Sequence, residues 1–338
     1  MTFLTSAQRH DVVSVGDVAL DVFIPIPDSS AEVRVEDGRR RLVLPFGAKV
    51  PCDRGSSVTA GGDAANAAVA FARLGLRSAL ASFLAHDQYG RDLLVALRGE
   101  GVHTNLVHID EPAETNRNFV LWFGGDRTIM VRHQRFNWHW PSLRPTEVPA
   151  WLYLTSVGPN DFKYEDEIGQ WLAANPAVRL AFRPGTHQLE AGFDRLAGLF
   201  ARCEVLVLAE DDARELLGRD DGVDALLDAL ARTGAQRVVL TDHVGGARAL
   251  DMEHRYSVPP YPDTTPVFER TGADDAFAAT VVAGLVAGLP FRDALQLAPI
   301  NAMSVKHEVG AQAGLLRREE LLAYLDEMPE GDSVEVDP

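Results

Sequence analysis

From about residue 150 onward the chain repeats one unit, a short apolar run followed by a stretch of helical period. WLYLTSV (151–157), VRLAFR (178–183), VLVLAE (205–210) and RVVLTD (237–242) are near-continuous apolar runs. Helix-patterned segments near 164–174, 190–201 and 211–231 separate them, and two further helices close the chain. Strands that read apolar throughout are buried on both faces, and strict strand–helix alternation sets them parallel in one sheet with helices on each side. Ligands of such sheets bind beyond the carboxyl ends of the strands. Functional residues are therefore expected where these runs end.

The first half interrupts that order. DVVSVGDVALDVFIPI (11–26) opens as a core strand ending at Gly16 and continues into an outlying strand that Pro25 and Pro27 stop. Residues 28–58 are polar apart from RLVLPFGAKV (41–50) and read as lid or loop. GGDAANAAVAFARLG (61–75) places Ala67, Phe71 and Leu74 on one stripe of a buried helix, with Asp63 as its cap and Gly75 as its stop. RSALASFLA (77–85) and DQYGRDLLVALRGEG (87–101) resume the alternation, whereas NFVLWFGGDRTIMV (118–131) is two strands about a Gly-Gly-Asp turn. This hairpin is expected to join the pieces near 20–26 and 40–50 in a small β lid. One domain over 11–325 follows, with lid segments at about 20–58 and 115–135 and a flexible tail over 326–338.

A net charge of −17 and a pI near 5.0 repel polyanions over most of the surface, which excludes a general nucleic-acid or anionic-membrane binder. Lys49, Lys163 and Lys306 are the only lysines and none lies in a GxxxxGK[ST] loop. Cys52 and Cys203 sit outside any CxxC pattern and read as free thiols of a reducing cytoplasm. The N-terminus lacks the basic-then-apolar order of a signal peptide, and no apolar run has the length of a membrane span. A soluble cytoplasmic protein is expected. No GxGxxG follows the first strand, and neither GxSxG nor HExxH occurs, which removes the usual motifs of dehydrogenases, serine hydrolases and zincins.

TGADDAFAATVVAGL (271–285) carries the chemistry. Thr271, Gly272 and Ala273 lead into a helix whose start offers bare N–H groups, a natural anion site. Two carboxylates, Asp274 and Asp275, stand at that start. They read either as first-turn caps or as a base that takes a hydroxyl proton while the N–H groups stabilise a transferring phosphoryl group.

GGDAANAAVAFARLG and TGADDAFAATVVAGL together resemble, in order and distance, the two signatures of the ribokinase-like, or PfkB-type, carbohydrate kinases. GDVALD (16–21) stands where that family begins its substrate site, and the resemblance extends over about 11–325. It implies a three-layer αβα sandwich with a central mostly parallel sheet and a small β lid. It implies phosphorylation of a hydroxymethyl group on a small sugar or nucleoside-like acceptor, with ATP and Mg2+. Asp275 takes the catalytic base position, and the backbone of Gly272, Ala273, Asp274 and Asp275 the anion hole. Asp21, Gly61, Gly62 and Asn66 take the acceptor site, where Asp and Asn suit vicinal hydroxyls and glycines admit close approach. Asp17 is either a further contact or a strand-end turn residue. Thr241, Gly246, Glu210 and Asp212 fall on the nucleotide side, the two acids also on the indirect metal site.

The departures from that pattern concern the nucleotide side. Asp274 replaces a glycine, Ala209 an asparagine, Asp212 a glutamate and His243 a glycine; Glu269 stands for an aspartate near a monovalent-cation site, which leaves K+ activation open. Two close carboxylates oppose joint ionisation and raise the apparent pKa of the pair. A ribokinase-fold protein that binds a ligand or regulates without transferring phosphate is the alternative reading. Arg183 ends a strand facing the site, as an ion-pair partner or as an attractor of anions. VRHQRFNWHWP (131–141) puts His133, Trp138, His139 and Trp140 after the hairpin, for aromatic lid packing or base stacking rather than a metal. Exposed lid strand edges would also permit homodimer pairing.

Overall fold

The chain enters its main sheet with β1 (Val12–Val15), buried throughout, and leaves it at Gly16 for β2 (Ala19–Pro25). A ribbon of β3 (Glu32–Glu36) and β4 (Arg39–Val43) follows, then β5 (Ser56–Gly61), which runs into α1 (Asp63–Arg73). β6 (Ser78–Ala85), α2 (Gln88–Gly99) and β7 (His103–Asp110) return to the main sheet, and the hairpin of β8 (Arg117–Phe123) and β9 (Asp126–Arg132) departs again. Next come β10 (Trp151–Leu154), α3 (Phe162–Ala174), β11 (Arg179–Phe182), α4 (Thr186–Glu190), α5 (Phe193–Phe200) and β12 (Cys203–Ala209). α6 (Glu210–Leu217), α7 (Val223–Ala231), β13 (Val238–Asp242), β14 (Gly246–Leu250) and β15 (Arg255–Val258) follow. α8 (Ala273–Val286), α9 (Phe291–Val305), α10 (Arg318–Asp326) and β16 (Glu335–Asp337) complete the chain. The structure, a computed structural model, describes residues 9–337 apart from 37, 112–113, 125, 159–161, 243–245, 266, 268–269, 330 and 332.

The main sheet has the order β16-β15-β14-β13-β12-β11-β10-β1-β6-β7, parallel from β13 to β7 and antiparallel in the three strands beyond β13. Successive side chains point to opposite faces, so Val12 enters the core under α1, α8 and α9 while Val13 and Val15 enter the core under α3, α5 and α7. This is the expected αβα sandwich. Alanine at Ala64, Ala67 and Ala68 of α1 and at Ala276 and Ala279 of α8 keeps both helices buried, and both begin at the same end of the sheet.

A second sheet has the order β5-β2-β8-β9, with β2 parallel to β8. The hairpin and the 20–26 strand meet as expected, but the third component differs. Residues 39–43 pair only with β3 in a separate ribbon, and SSVTAG of β5 takes the place beside β2. That hexapeptide is short and mostly small or polar, and it pairs antiparallel with β2, with Asp21 opposite Val58.

Three further expectations change. The segment 211–231 is two helices, because Gly218 ends α6 in the left-handed region. Residues 335–337, read as part of a flexible tail, pair antiparallel with β15, and Val334 beside them is buried. Trp138 packs on Phe83 and Tyr164 of the main domain, with ring centroids 4.7 and 5.1 Å away, and Trp140 on Trp171 at 5.0 Å. The tryptophans therefore belong to the sheet's core and not to the lid.

Candidate active site

The strand order reverses between β1 and β10: from β1 the chain moves outward through β6 and β7, and from β10 it moves the other way. Carboxyl ends of strands at such a reversal diverge and leave a crevice. β1 ends there in Gly16 and Asp17, β10 in Thr155 and Ser156, and β11 in Arg183, while the starts of α1 and α8 point into the same crevice.

Four buried polar side chains from distant parts of the chain converge on it: Asp17, Asp21, Asn66 and Asp275. Asn66 of α1 donates from Nδ2 to Asp275 Oδ2 of α8 at 2.8 Å and accepts at Oδ1 from Gln312 Nε2 at 3.0 Å. Arg183 reaches Asp275 Oδ1 at 2.9 Å and Asp63 Oδ2 at 3.3 Å. Ser156 Oγ donates to the same Asp63 oxygen at 2.7 Å. Asp63, expected as a helix cap, makes no cap; Gly62 occupies that position and the carboxylate turns outward to Ser156 and Arg183.

Asp21 accepts at Oδ1 from Asn118 Nδ2 of the lid at 2.9 Å. A Cβ on Gly61 would lie 2.3 Å from Asp21 Oδ2, so the Gly61 backbone and that carboxylate share a space no larger residue leaves open. Asp17 pairs with His133 Nε2 of the segment after β9 at 3.1 Å. Asp17 thus ties the segment after β9 to the end of β1, while the Asp21–Asn118 bond lies within the second sheet, between neighbours on β2 and β8.

The start of α8 is fixed by Gly272, the cap residue, with φ +83°. A Cβ there would sit 2.2 Å from Ala311 Cβ, so the close approach as well as the left-handed backbone requires glycine. A helix start leaves its first N–H groups without intrahelical partners, and two cavities meet at this one. The smaller, about 210 Å³, is lined by Asp21, Gly62, Asn66, Asn118, Arg183 and Asp275. The larger, about 630 Å³, takes Thr241, Gly246, Ala273, Phe277, Pro260 and Lys306. Asp274, Arg127 and Arg270 border both.

Burial pushes the Asp275 carboxyl up to about 7, helped by the charges of Asp63 and Asp274 and opposed by Arg183 and the Asn66 hydrogen bond. Burial likewise raises Asp17 against the pull of His133. Lys306 is lowered by burial and by Arg270, with Asp274 drawing it back up.

The other sequence candidates lie apart. Glu210 is paired with Arg214, whose other Nη meets Asp211 at 3.0 Å, and neither Glu210 nor Asp212 lines either cavity. Ala209 ends β12 directly before them. His243 and Glu269 lie outside the described residues. Among the described residues no group of three or more His, Cys, Asp or Glu side chains is arranged to hold a metal, and no helix is long and apolar enough to cross a membrane. Asn118, Ser156, Gln312 and Arg270 are not marked by a sequence motif, and Lys306 only as one of three lysines. The one available signal was a polar side chain in an apolar or small-residue run, Asn118 in NFVLWF and Gln312 in VGAQAG.

A sequence model of the pfkB family of carbohydrate kinases matches residues 47–317. Fructokinase-1 of Oryza sativa subsp. japonica is 25% identical over 281 residues, spanning 74% of this chain and 84% of its own. The fructokinase of Klebsiella pneumoniae is 29% identical over 245 residues, spanning 68% of this chain and 78% of its own. Among solved structures, the ribokinase of Arabidopsis thaliana complexed with ribose and ATP superposes with a TM-score of 0.76 at 19% identity, covering 94% of this chain and 99% of the ribokinase.

Proposed function

Because the chain belongs to the pfkB family of carbohydrate kinases, we propose that it transfers the γ-phosphoryl group of ATP to the hydroxymethyl group of a small sugar or nucleoside-like acceptor, with Asp275 as the general base. One observation carries this reading: the buried Asp275 carboxylate lines the smaller cavity at a helix start, next to Asp274, which borders both cavities. The smaller cavity suits the acceptor, since Asp21, Asn66 and Asn118 offer the donors and acceptors that hydroxyl groups need. The larger suits the nucleotide, with Ala273 and the α8 start at one end and Thr241 and Gly246 along its wall.

In this account the acceptor hydroxyl lies against Asp275, which takes its proton as the oxygen attacks the γ-phosphorus. The bond to the β-phosphate oxygen breaks, ADP leaves, and Asp275 returns its proton to solvent. The start of α8 offers its backbone N–H groups and the positive end of the helix to the oxygens that carry the transferring charge, although the Ala273 N–H also donates to Arg270 O at 3.3 Å. A base titrating at about 7 is half ionised near neutrality, the range in which proton abstraction is most efficient. Mg2+ would enter with ATP and lower the charge on its phosphates. Glu210 is tied to Arg214, so phosphate oxygens and water, rather than a carboxylate cage, fit the metal.

Asp274 brings a negative charge to the phosphate side, but Arg270 and Lys306 line the same cavity. Lys306 feels both Arg270 and Asp274. Those two cations offset the added carboxylate and favour an active nucleotide site over a purely ligand-binding one. Calorimetric titration of ATP with Mg2+, with and without a sugar and nucleoside panel, tests the reading. Saturable ATP binding supports it; acceptor binding with no ATP binding at any panel member favours the non-transferring alternative.

A further inference from the structure

The backbone N–H of Arg183 bonds to Leu154 O at 2.9 Å as β11 ends, so its guanidinium leaves the sheet from a fixed point. Nη1 then meets two carboxylates, Asp275 at 2.9 Å and Asp63 at 3.3 Å, and Ser156 donates to the same Asp63 oxygen. Among the described residues, charged and titratable groups surround Asp275 from several elements. Asp63 faces it from α1, Tyr153 from β10 and Asp274 from its own helix. Asp21 of β2, Arg127 of β9 and Arg270 before α8 line the cavity it borders. Among the described residues Arg183 is the cation within 4 Å of the Asp275 carboxylate. The site is otherwise buried and rich in acid, so without that cation the carboxyl would hold its proton.

We propose that Arg183 is a positioning residue that favours the ionised form of Asp275 and aims it, clamping Oδ1 while Asn66 holds Oδ2, with Asp63 as the counterweight that limits how far the cation acts. Its meaning for catalysis rests on the reading of Asp275 as the base. Arg183 acts through Asp275 and touches no reacting atom itself. A structural ion pair would only hold the strand end in place; this arrangement makes a different demand, because Arg183 and Asp63 pull the ionisation of Asp275 in opposite directions.

The test is the pH dependence of kcat/KM together with carboxyl 13C NMR titration of the ligand-free protein, with Asp275→Asn identifying the resonance. Arg183→Gln is expected to move both the acidic limb and the Asp275 titration to higher pH by about one to three units. Arg183→Lys should restore most of that shift, and Asp63→Asn should move both to lower pH. Asp63→Asn retains the Arg183–Asp275 pair and reads the opposing pull of Asp63; if Arg183→Gln does not fold, Arg183→Lys compared with wild type reads the hold of the guanidinium on Asp275. An unchanged Asp275 titration in Arg183→Gln, or shifts of the same sign in Arg183→Gln and Asp63→Asn, would overturn the proposal. Opposite shifts by NMR in a wild-type protein without turnover would uphold the hold of Arg183 on Asp275 and remove the kinase reading instead.

Discussion

Asn66 and Asp275, 209 positions apart in sequence, are joined by a 2.8 Å hydrogen bond from Nδ2 to Oδ2. The bond locks the start of α1 to the start of α8 and unites the two signature segments in one site. Both side chains are buried, and Asn66 is itself held by Gln312. The orientation of the Asp275 carboxylate is therefore set by a chain of side chains and not by solvent.

Asp275→Asn should remove most turnover while leaving the fold and acceptor affinity close to wild type. Asparagine is isosteric and still accepts from Asn66, but it has no lone pair basic enough to take the hydroxyl proton. Near-normal kcat in the purified variant would exclude Asp275 as the base.

Asn66→Ala acts on two things at once. It deletes a polar partner in the acceptor cavity and frees the Asp275 carboxylate to turn, so acceptor affinity should fall by about 1–3 kcal/mol and kcat should fall with it. Asp21→Ala, on the β2 side of the same cavity, should cost similar affinity with a smaller effect on kcat. Competition binding with an acceptor found by screening separates the two, and equal effects on kcat would contradict the assignment.

The raised Asp275 carboxyl has a stability consequence that needs no substrate. Its folded value of about 7 exceeds the ordinary 3.8, so the folded protein binds this proton more tightly than the unfolded chain. That contribution is fully present below pH 3.8 and is lost as pH rises through about 7. Asp275→Asn lacks it, so the Tm of the variant should gain on wild type between these limits. A Tm difference that stays flat across that window would contradict the shift.

Asp274→Gly should tighten ATP binding by about two- to fivefold, the size of a charge at a helix start, while lowering Tm slightly because a favourable first-turn acid is lost. Titration calorimetry reads the first effect and thermal unfolding the second. Weaker ATP binding in the variant would show that Asp274 assists the phosphates.

Gly272→Ala tests the helix start itself. The left-handed backbone costs a non-glycine residue about 1–2 kcal/mol, and the new methyl would overlap Ala311. Both stability and nucleotide affinity should drop, whereas Gly288→Ala at the other end of α8, also left-handed but in open space, should lower stability alone. Undiminished ATP binding in Gly272→Ala would separate the α8 start from the phosphate site.

The sandwich was legible because its strands are apolar on both faces and its helices alternate with them, a pattern written locally. The positions of Asp21, Asn66 and Asp275 were legible because they sit in short motifs at the ends of those elements. What escaped was set by tertiary contact. Gln312 and Asn118 find their partners 246 and 97 positions away, and SSVTAG carries too little side chain to announce a strand. Asp63 reads locally as a cap, but Gly62 takes that role because Arg183 and Ser156 offer the carboxylate stronger partners. The pairing of Glu210 with Arg214 was readable in principle, as an i,i+4 contact within α6.

The central claim is phosphoryl transfer to a carbon-bound hydroxyl with Asp275 as base, and 31P NMR of ATP, Mg2+ and each acceptor of a sugar and nucleoside panel tests it directly. ADP and a new phosphomonoester resonance are expected in equal amounts with at least one acceptor, both abolished by Asp275→Asn. ADP and inorganic phosphate without a phosphomonoester, or an ester formed equally well by Asp275→Asn, would contradict it.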